Sequence, residues 1–144
     1  MSLKQISVFV ENKPGKMQAL TQILADHKVD MRALSLAETS DFGIVRIIVD
    51  DVYAASTLLK DEGFIHNVTK VLGVAIPDEP GGLNTVLAVL KEAGINVEYM
   101  YAFMGRNQAT SACMIFRVQD PRAAVTALAA HGIRCIDQDE LAQL

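Results

Sequence analysis

Apolar positions along the chain switch between two spacings, and the switches occur in an order that repeats. Residues 4–10 alternate apolar and polar side chains, which predicts a β-strand with one buried face. Helical spacing follows over residues 17–24 and places the apolar side chains on one face. The rest of the first half predicts two strands, a helix and a short last strand, at about 29–38, 43–49, Asp51 onward and 64–68.

The second half of the chain repeats this order. Its predicted strands cover about 70–76, 95–104, 110–118 and 133–137. A helix that begins near Leu83 ends at Gly94, a residue type that commonly terminates helices. The next helix begins at Asp120-Pro121, an N-cap residue followed by proline at the first helical position. Each half therefore predicts the order βαββαβ.

An internal repeat accounts for this order. The dipeptides Pro14-Gly15 and Pro80-Gly81 lie 66 positions apart, and each follows a predicted first strand. Later in the unit the offset becomes 69, which pairs Gly63 with Gly132. We therefore expect three additional residues in the second copy, in the turn near residues 105–108.

The repeat predicts an α+β fold of two ferredoxin-like βαββαβ units, residues 1–68 and 69–144. A lone unit of this size has a marginal core. The strand predicted at 95–104 is apolar on nearly both faces, and such a strand at a sheet edge invites pairing. We therefore expect the two antiparallel sheets to be joined side by side, with the helices on one face.

Composition narrows the classes of function. Hydrophobic residues make up 51% of the 144 residues, charged residues make up 21%, and the net charge is −4 without a basic cluster. This balance argues against nucleic acid as a partner. No apolar run is long enough to span a membrane, and no signal peptide is visible, so we expect a cytoplasmic protein. Cys113 and Cys135 are expected to be reduced thiols.

The loop after each first strand resembles the D-x-P-G-x-L signature of ACT domains. Residues 78–83, Asp-Glu-Pro-Gly-Gly-Leu, match that signature, and residues 12–17, Asn-Lys-Pro-Gly-Lys-Met, are a looser version of it. Asn96-Val97 also resembles the dipeptide that begins the second strand of the family, whereas Asp30-Met31 matches it only in part. The resemblance covers nearly the whole chain as two ACT units in tandem.

The resemblance implies a non-enzymatic regulatory protein that binds a free amino acid or a similar small ligand at the interface of two units. It also implies allosteric control of an enzyme of amino-acid metabolism in trans, and a homodimer is one form open to such a pair. The residues that the resemblance assigns to ligand binding are Asn12, Pro14, Gly15, Lys16, Met17, Asp30, Met31, Asp78, Glu79, Pro80, Gly81, Gly82, Leu83, Asn96 and Val97.

The chemistry of these loops suits an amino acid. The first amides of the following helix lack intrahelical partners and lie at the positive end of the helix dipole, where a carboxylate binds well. Asp78 could receive the ligand ammonium group, and Gly81 and Gly82 would let the ligand approach the backbone. The second loop is the better candidate, because Lys16 in the first copy carries a Cβ where Gly82 does not.

Other interpretations stay open at this point. Each Pro-Gly loop could simply be a turn that starts a helix. The chain could also be a protein–protein interaction or oligomerisation module without a ligand. An enzyme is the least favoured class, because no nucleophile with a poised base and no metal-ligand spacing stands out. We expect no cofactor and no metal, since His27, His66 and His131 are scattered and two of them fall near helix C-termini.

Overall fold

A computed structural model of the protein describes residues 2–103, 111–141 and 143. The chain divides into two compact units, a first unit of Lys4–Thr69 and a second unit of Lys70–Leu144 with Met1–Leu3. The elements of the chain are, in order, β1 (Leu3–Glu11), α1 (Lys16–Asp26), β2 (Met31–Glu38), β3 (Phe42–Val49), α2 (Val52–Asp61), β4 (His66–Pro77), α3 (Gly82–Glu92), β5 (Tyr99–Ala102), β6 (Ser111–Arg117), α4 (Pro121–Ala130), β7 (Cys135–Ile136) and α5 (Gln138–Leu141).

The first unit forms a sheet in the order β2-β3-β1-β4, to which β4 contributes its residues up to Thr69. β3 pairs antiparallel with both β1 and β2. Alternate residues of β1 and β3 point to the same side as α1 and α2, so both helices cover one face. The core of this unit consists of Ile6, Val8, Val10, Leu20, Leu24, Val45, Ile47, Val49, Ala55 and Leu59.

The second unit repeats this arrangement with the order β5-β6-β4-β7. β4 pairs antiparallel with β6 and with β7, and β5 pairs antiparallel with β6. The core lies between this sheet and the helices α3 and α4, and it consists of Leu72, Val74, Ile76, Val86, Val89, Leu90, Phe116, Val118, Ala124, Leu128 and Cys135. The predicted α+β class, with antiparallel sheets and helices, is confirmed.

Helix ends follow the local chemistry of the sequence. Asp51 and Asp120 cap α2 and α4, because their carboxylates accept hydrogen bonds from the amides of Ala54 and Ala123 at 3.0 and 3.1 Å. His27 and His131 are the C-cap residues of α1 and α4, and each Nδ1 lies 3.0–3.1 Å from a carbonyl oxygen of the last turn. The expected position of these two histidines at helix C-termini is confirmed.

Two strand predictions are wrong. Residues 95–98 are not a strand. The Ile95 amide donates a hydrogen bond to the Leu90 carbonyl at 2.9 Å at the end of α3, and the side chains of Ile95 and Val97 pack against the core. The separate strands predicted at 64–68 and 70–76 are one strand, β4, that begins only at His66. The last strand, predicted at 133–137, is only the two residues of β7. The short helix α5 that follows it was not predicted.

The turn near residues 105–108, where we expect the additional residues of the second copy, lies outside the described residues. Both cysteines are free thiols, Cys135 buried and Cys113 half-buried. Among the helices that the structure describes, none has the length and apolar character needed to cross a membrane.

Candidate functional site in two repeated clefts

Both Pro-Gly loops have the same backbone geometry. Gly15 and Gly81 are the N-cap residues of α1 and α3, with φ angles of 83° and 87° in the left-handed region that favours glycine. Neither helix has a side-chain N-cap among the described residues. The first amide of each helix is already bonded within the loop: the Lys16 amide donates to the Lys13 carbonyl, and the Gly82 amide donates to the Glu79 carbonyl. The next two amides of each helix are therefore the ones that remain for an outside acceptor.

A cleft of about 450 Å³ lies beside the first loop, within the first unit. The end of β1, the first turns of α1 and the segment before β4 form its walls. Phe9, Phe42 and Ile65 are 40%, 54% and 73% exposed, so much of the wall is open apolar surface. The full lining is Phe9, Val10, Glu11, Lys16, Ala19, Phe42, Gly63, Phe64 and Ile65.

A second cleft of about 500 Å³ lies at the matching position of the second unit. The end of the first strand of that copy, the first turns of α3 and the segment before β7 form its walls. Its polar groups include Glu79, Thr85 and Arg134. The full lining is Ala75, Ile76, Pro77, Glu79, Gly82, Thr85, Val86, Gly132, Ile133 and Arg134.

The two clefts are equivalent under the repeat. Positions on the strand and the helix correspond at an offset of 66, so that Lys16 matches Gly82 and Ala19 matches Thr85. Positions before the last strand correspond at an offset of 69, as for Gly63 and Gly132. A cleft that recurs with the Pro-Gly loop is therefore a feature of the repeated unit.

Charge distinguishes the two clefts. In the first, the Glu11 carboxylate lies 2.9 Å from Lys13 Nζ and 3.7 Å from Lys16 Nζ. The hydrogen bond and the charge of Lys13, followed by the charge of Lys16, hold the pKa of Glu11 below its ordinary value. Glu11 thus stays an anion beside the positive end of α1, in the region where a ligand carboxylate would otherwise be attracted.

In the second cleft, proline replaces this acid, since Pro77 stands at the position of Glu11. The guanidinium of Arg134 lies 2.5 Å from Glu140 in a solvent-exposed pair. Exposed pairs of this kind contribute little stability, so another carboxylate can replace Glu140 at low cost. The cleft lies beside the N-terminus of α3, and its wall carries one cation, Arg134, and one acid, Glu79.

Comparison with known proteins places this arrangement in a family. The sequence profile described as ACT domain pair matches residues 1–144. The chain belongs to the ACT domain pair family. Domains of this family are regulatory. No curated protein sequence matches the chain.

Solved structures agree with the fold of this ACT pair. A crystal structure of a protein from Bacteroides thetaiotaomicron is similar with a TM-score of 0.91 at 36% identity, over 100% of this chain and 98% of that one. The regulatory subunit of aspartate kinase from Thermus thermophilus, in its ligand-free form, is similar with a TM-score of 0.62 at 15% identity, over 88% and 91% of the chains. The regulatory subunit of aspartate kinase from Thermus flavus is similar with a TM-score of 0.59 at 13% identity, over 88% of this chain and 90% of that one. The two kinase subunits show the shared fold alone.

The ACT pair brings only some of the predicted site residues into the clefts. Lys16 lines the first cleft, and Glu79 and Gly82 line the second. Pro14, Gly15, Asp78, Pro80 and Gly81 lie in the exposed loops beside the clefts without lining them.

The other predicted residues have contacts elsewhere. Met17, Met31, Leu83 and Val97 pack against the two cores. The Asn12 side chain donates to the Thr39 carbonyl at 3.2 Å. The Asp30 carboxylate binds Arg32 Nη1 at 3.1 Å, and Asn96 is exposed outside both linings. The expected location of the ligand at an interface of the two units stays a prediction.

Gly82 also has a packing role within the chain. A Cβ on Gly82 would lie 2.3 Å from the carbonyl oxygen of Pro77, so this glycine lets the chain pack against itself. The cleft of each unit lies between the helix and the segment before the last strand. Sequence reasoning missed that segment, residues 63–65 and 132–134, although the match of Gly63 with Gly132 was a signal for it.

Ser56 and His66 form a hydrogen-bonded pair outside both clefts. His66 Nε2 lies 2.8 Å from Ser56 Oγ, and Nδ1 lies 3.1 Å from the Phe64 carbonyl oxygen. This arrangement joins α2 to the start of β4 and uses both ring nitrogens. Neither residue lines either cleft, so we interpret the pair as a structural bond between the helix and the strand. In the part of the chain that the structure describes, no three His, Cys, Asp or Glu side chains form a metal-binding group.

Proposed function

We propose that this ACT pair is a non-enzymatic regulator that binds a free amino acid in the clefts beside its Pro-Gly loops. The observation that carries the proposal is the recurrence of one cleft, with one uncapped helix N-terminus, at equivalent positions of both units. A turn that only starts a helix does not account for the cleft beside it.

The second cleft has groups for both ends of an amino acid. The ligand carboxylate would extend from the cleft to the adjacent amides of Leu83 and Asn84, the second and third residues of α3, and would gain from the helix dipole. Its ammonium group would bind Glu79, with Asp78 nearby in the loop. Arg134 then lies along the wall for a ligand side chain that carries an acceptor, whereas the Thr85 hydroxyl already donates to the Gly81 carbonyl at 3.1 Å and can only accept.

Magnitudes show what these contacts can achieve. Charge-assisted hydrogen bonds contribute about 1.5–3 kcal/mol each, and the dipole about 0.3–2 kcal/mol. After the entropy of association is subtracted, the two charged ends support about millimolar binding. Micromolar affinity requires about 4 kcal/mol more, which only burial of the ligand side chain can supply. The cleft walls must therefore determine which amino acid binds.

The first cleft is the weaker candidate for the same ligand. Glu11 already provides an anion near the N-terminus of α1, and it is bound to Lys13 and Lys16. An incoming carboxylate would be repelled by Glu11 and would have to compete for these lysines. We therefore propose the second cleft as the principal site and, as the output, control of an enzyme of amino-acid metabolism.

A thermal-shift screen of the twenty L-amino acids at millimolar concentration tests the proposal. A ligand at one hundred times its Kd stabilises the folded state by about 2.7 kcal/mol, which gives a measurable rise in Tm. We expect one or a few amino acids to raise the Tm in a saturable manner. If none of the twenty raises it, the proposed function is wrong.

Matched variants locate the site. Thr85→Leu fills the second cleft and should abolish the rise in Tm, whereas Ala88→Leu, on an exposed position of the same helix, should leave it unchanged. Ala19→Leu fills the first cleft, with Ala25→Leu as its control, and should have the smaller effect. Equal responses of Thr85→Leu and Ala88→Leu would move the site elsewhere.

The second candidate function is an interaction or oligomerisation module without a ligand. Its support is the location of the exposed large hydrophobic side chains, since all those observed on the described residues belong to the first unit: Phe9, Leu34, Leu36, Phe42, Tyr53, Ile65 and Val68. It predicts association in the absence of any amino acid, which light scattering detects, together with a Tm that no amino acid changes.

A further inference from the structure

The walls of the two clefts differ at two positions that the repeat makes equivalent. Phe9 and Ile65 of the first cleft are large apolar side chains that are 40% and 73% exposed. At the offsets of 66 and 69, Ala75 and Arg134 take their places in the second cleft. An apolar wall in one copy is thus a small side chain and a cation in the other. The second cleft therefore has room and a positive charge where the first has neither.

The guanidinium of Arg134 already binds one carboxylate and has donors left for another. The side chain is 61% exposed, and its Nη1 atom bonds Glu140 Oε1. Among the residues that the structure describes, none forms a hydrogen bond with Arg134 Nε or Nη2. These two nitrogens donate from one side of the planar group, in a geometry that matches the two oxygens of a carboxylate.

Glu140 holds Arg134 from outside the lining of the cleft. Its Oε2 atom accepts from the Asp137 amide at 3.3 Å, and its own amide donates to Asp137 Oδ1 at 2.8 Å. These bonds fix Glu140 in α5 without the help of Arg134. A ligand carboxylate can therefore join the other side of the guanidinium, or replace Glu140 on it at low cost, while α5 keeps its capping bonds.

We propose that the second cleft selects a dicarboxylic amino acid, whose side-chain carboxylate binds Arg134. This selection rests on the proposed function, which assigns the ligand α-carboxylate to the first turn of α3 and its ammonium group to Glu79. An amino acid with a second carboxylate then has a partner for each of its three charges. A basic side chain would instead meet Arg134, because Glu79 is the only acid among the described residues of the lining.

The amides of the two dicarboxylic amino acids are the matched ligands for a test. L-Asparagine and L-glutamine have nearly the shape of L-aspartate and L-glutamate, but their side chains carry no charge. A hydrogen bond between charged groups is about twice as strong as a neutral one. A contact with two such bonds should therefore favour the acid over its amide by at least about tenfold in Kd.

Isothermal titration calorimetry with these four amino acids measures the selection. One of the two acids should bind at least about tenfold more tightly than its amide. Arg134→Met removes the charge and should abolish this preference without changing the affinity for the amide. Arg122→Met removes the same charge from an exposed position of α4 outside this cleft, and should retain the preference. Arg134→Met should fold, because the bond of its carbonyl to the Ala75 amide does not involve the side chain.

The outcomes separate this selection from the proposed function. Acids that bind no more tightly than their amides, or a preference that persists in Arg134→Met, would overturn the selection and leave the proposed function standing. An equal loss of affinity for acid and amide in Arg134→Met would show that Arg134 binds the α-carboxylate, which also overturns it. If none of the twenty amino acids binds, the selection and the proposed function are both wrong.

Discussion

Gly81 and Gly82 are adjacent in the second Pro-Gly loop, yet different physical constraints require glycine at each. Gly81 has a φ of 87°, which strains any residue with a side chain, although nothing lies within 4 Å of the place where a Cβ would be. A Cβ on Gly82 would instead meet the Pro77 carbonyl oxygen at 2.3 Å. The first loop retains only the first constraint, because Lys16 occupies the position of Gly82.

This difference gives a prediction at the residue scale. Gly82→Ala should destabilise the protein by about 1–3 kcal/mol, since the carbonyl of Pro77 must move to accommodate the methyl group. Lys16→Ala, at the equivalent position of the first copy, removes no buried contact and should change the free energy of unfolding by less than about 0.5 kcal/mol. Urea unfolding followed by circular dichroism measures both. Equal effects would show that Pro77 does not restrict this position.

The four long helices that pack against the sheets begin in two ways. α2 and α4 begin with a capping aspartate, Asp51 or Asp120, whereas α1 and α3 begin with a glycine and no side-chain cap. The uncapped helices are the two whose first turns line the clefts. The distribution of caps over the helices therefore agrees with a role for the uncapped ends in binding an anion.

The caps give a prediction at the scale of the element. Asp51→Ala and Asp120→Ala each remove an acceptor for an amide of the first turn, and each should destabilise the protein by about 1 kcal/mol. Asp→Asn at the same positions retains an acceptor oxygen and should restore most of that stability. Thermal unfolding of the four variants measures this. If the alanine and asparagine variants unfold alike, the caps contribute less than the geometry indicates.

Elements defined by local signals could be predicted, and those defined by tertiary contacts could not. The caps of α2 and α4 and the helix stripes depend on neighbouring residues, so the sequence alone indicates them. Ile95 and Val97 look like strand residues, but the core beneath α3 determines their conformation. Likewise nothing local indicates that His66 begins a strand that continues to Pro77.

At the scale of the whole molecule, the repeat was visible in sequence, whereas the walls of the clefts were not. The Pro-Gly offset identified both loops and the family. Arg134 and Ile133 reach the second cleft only because the chain returns to the same end of the sheet about fifty residues later. Such an approach is a property of topology, and no spacing within the loop encodes it.

Amide chemical shifts measured by NMR during titration with the best amino acid from the screen test the central claim most directly. Binding in the second cleft should give saturable changes that are largest for the amides of Leu83, Asn84 and Arg134, with smaller changes at the equivalent positions of the first unit. A titration in which these amides do not move, while residues remote from both clefts do, would contradict the proposed site.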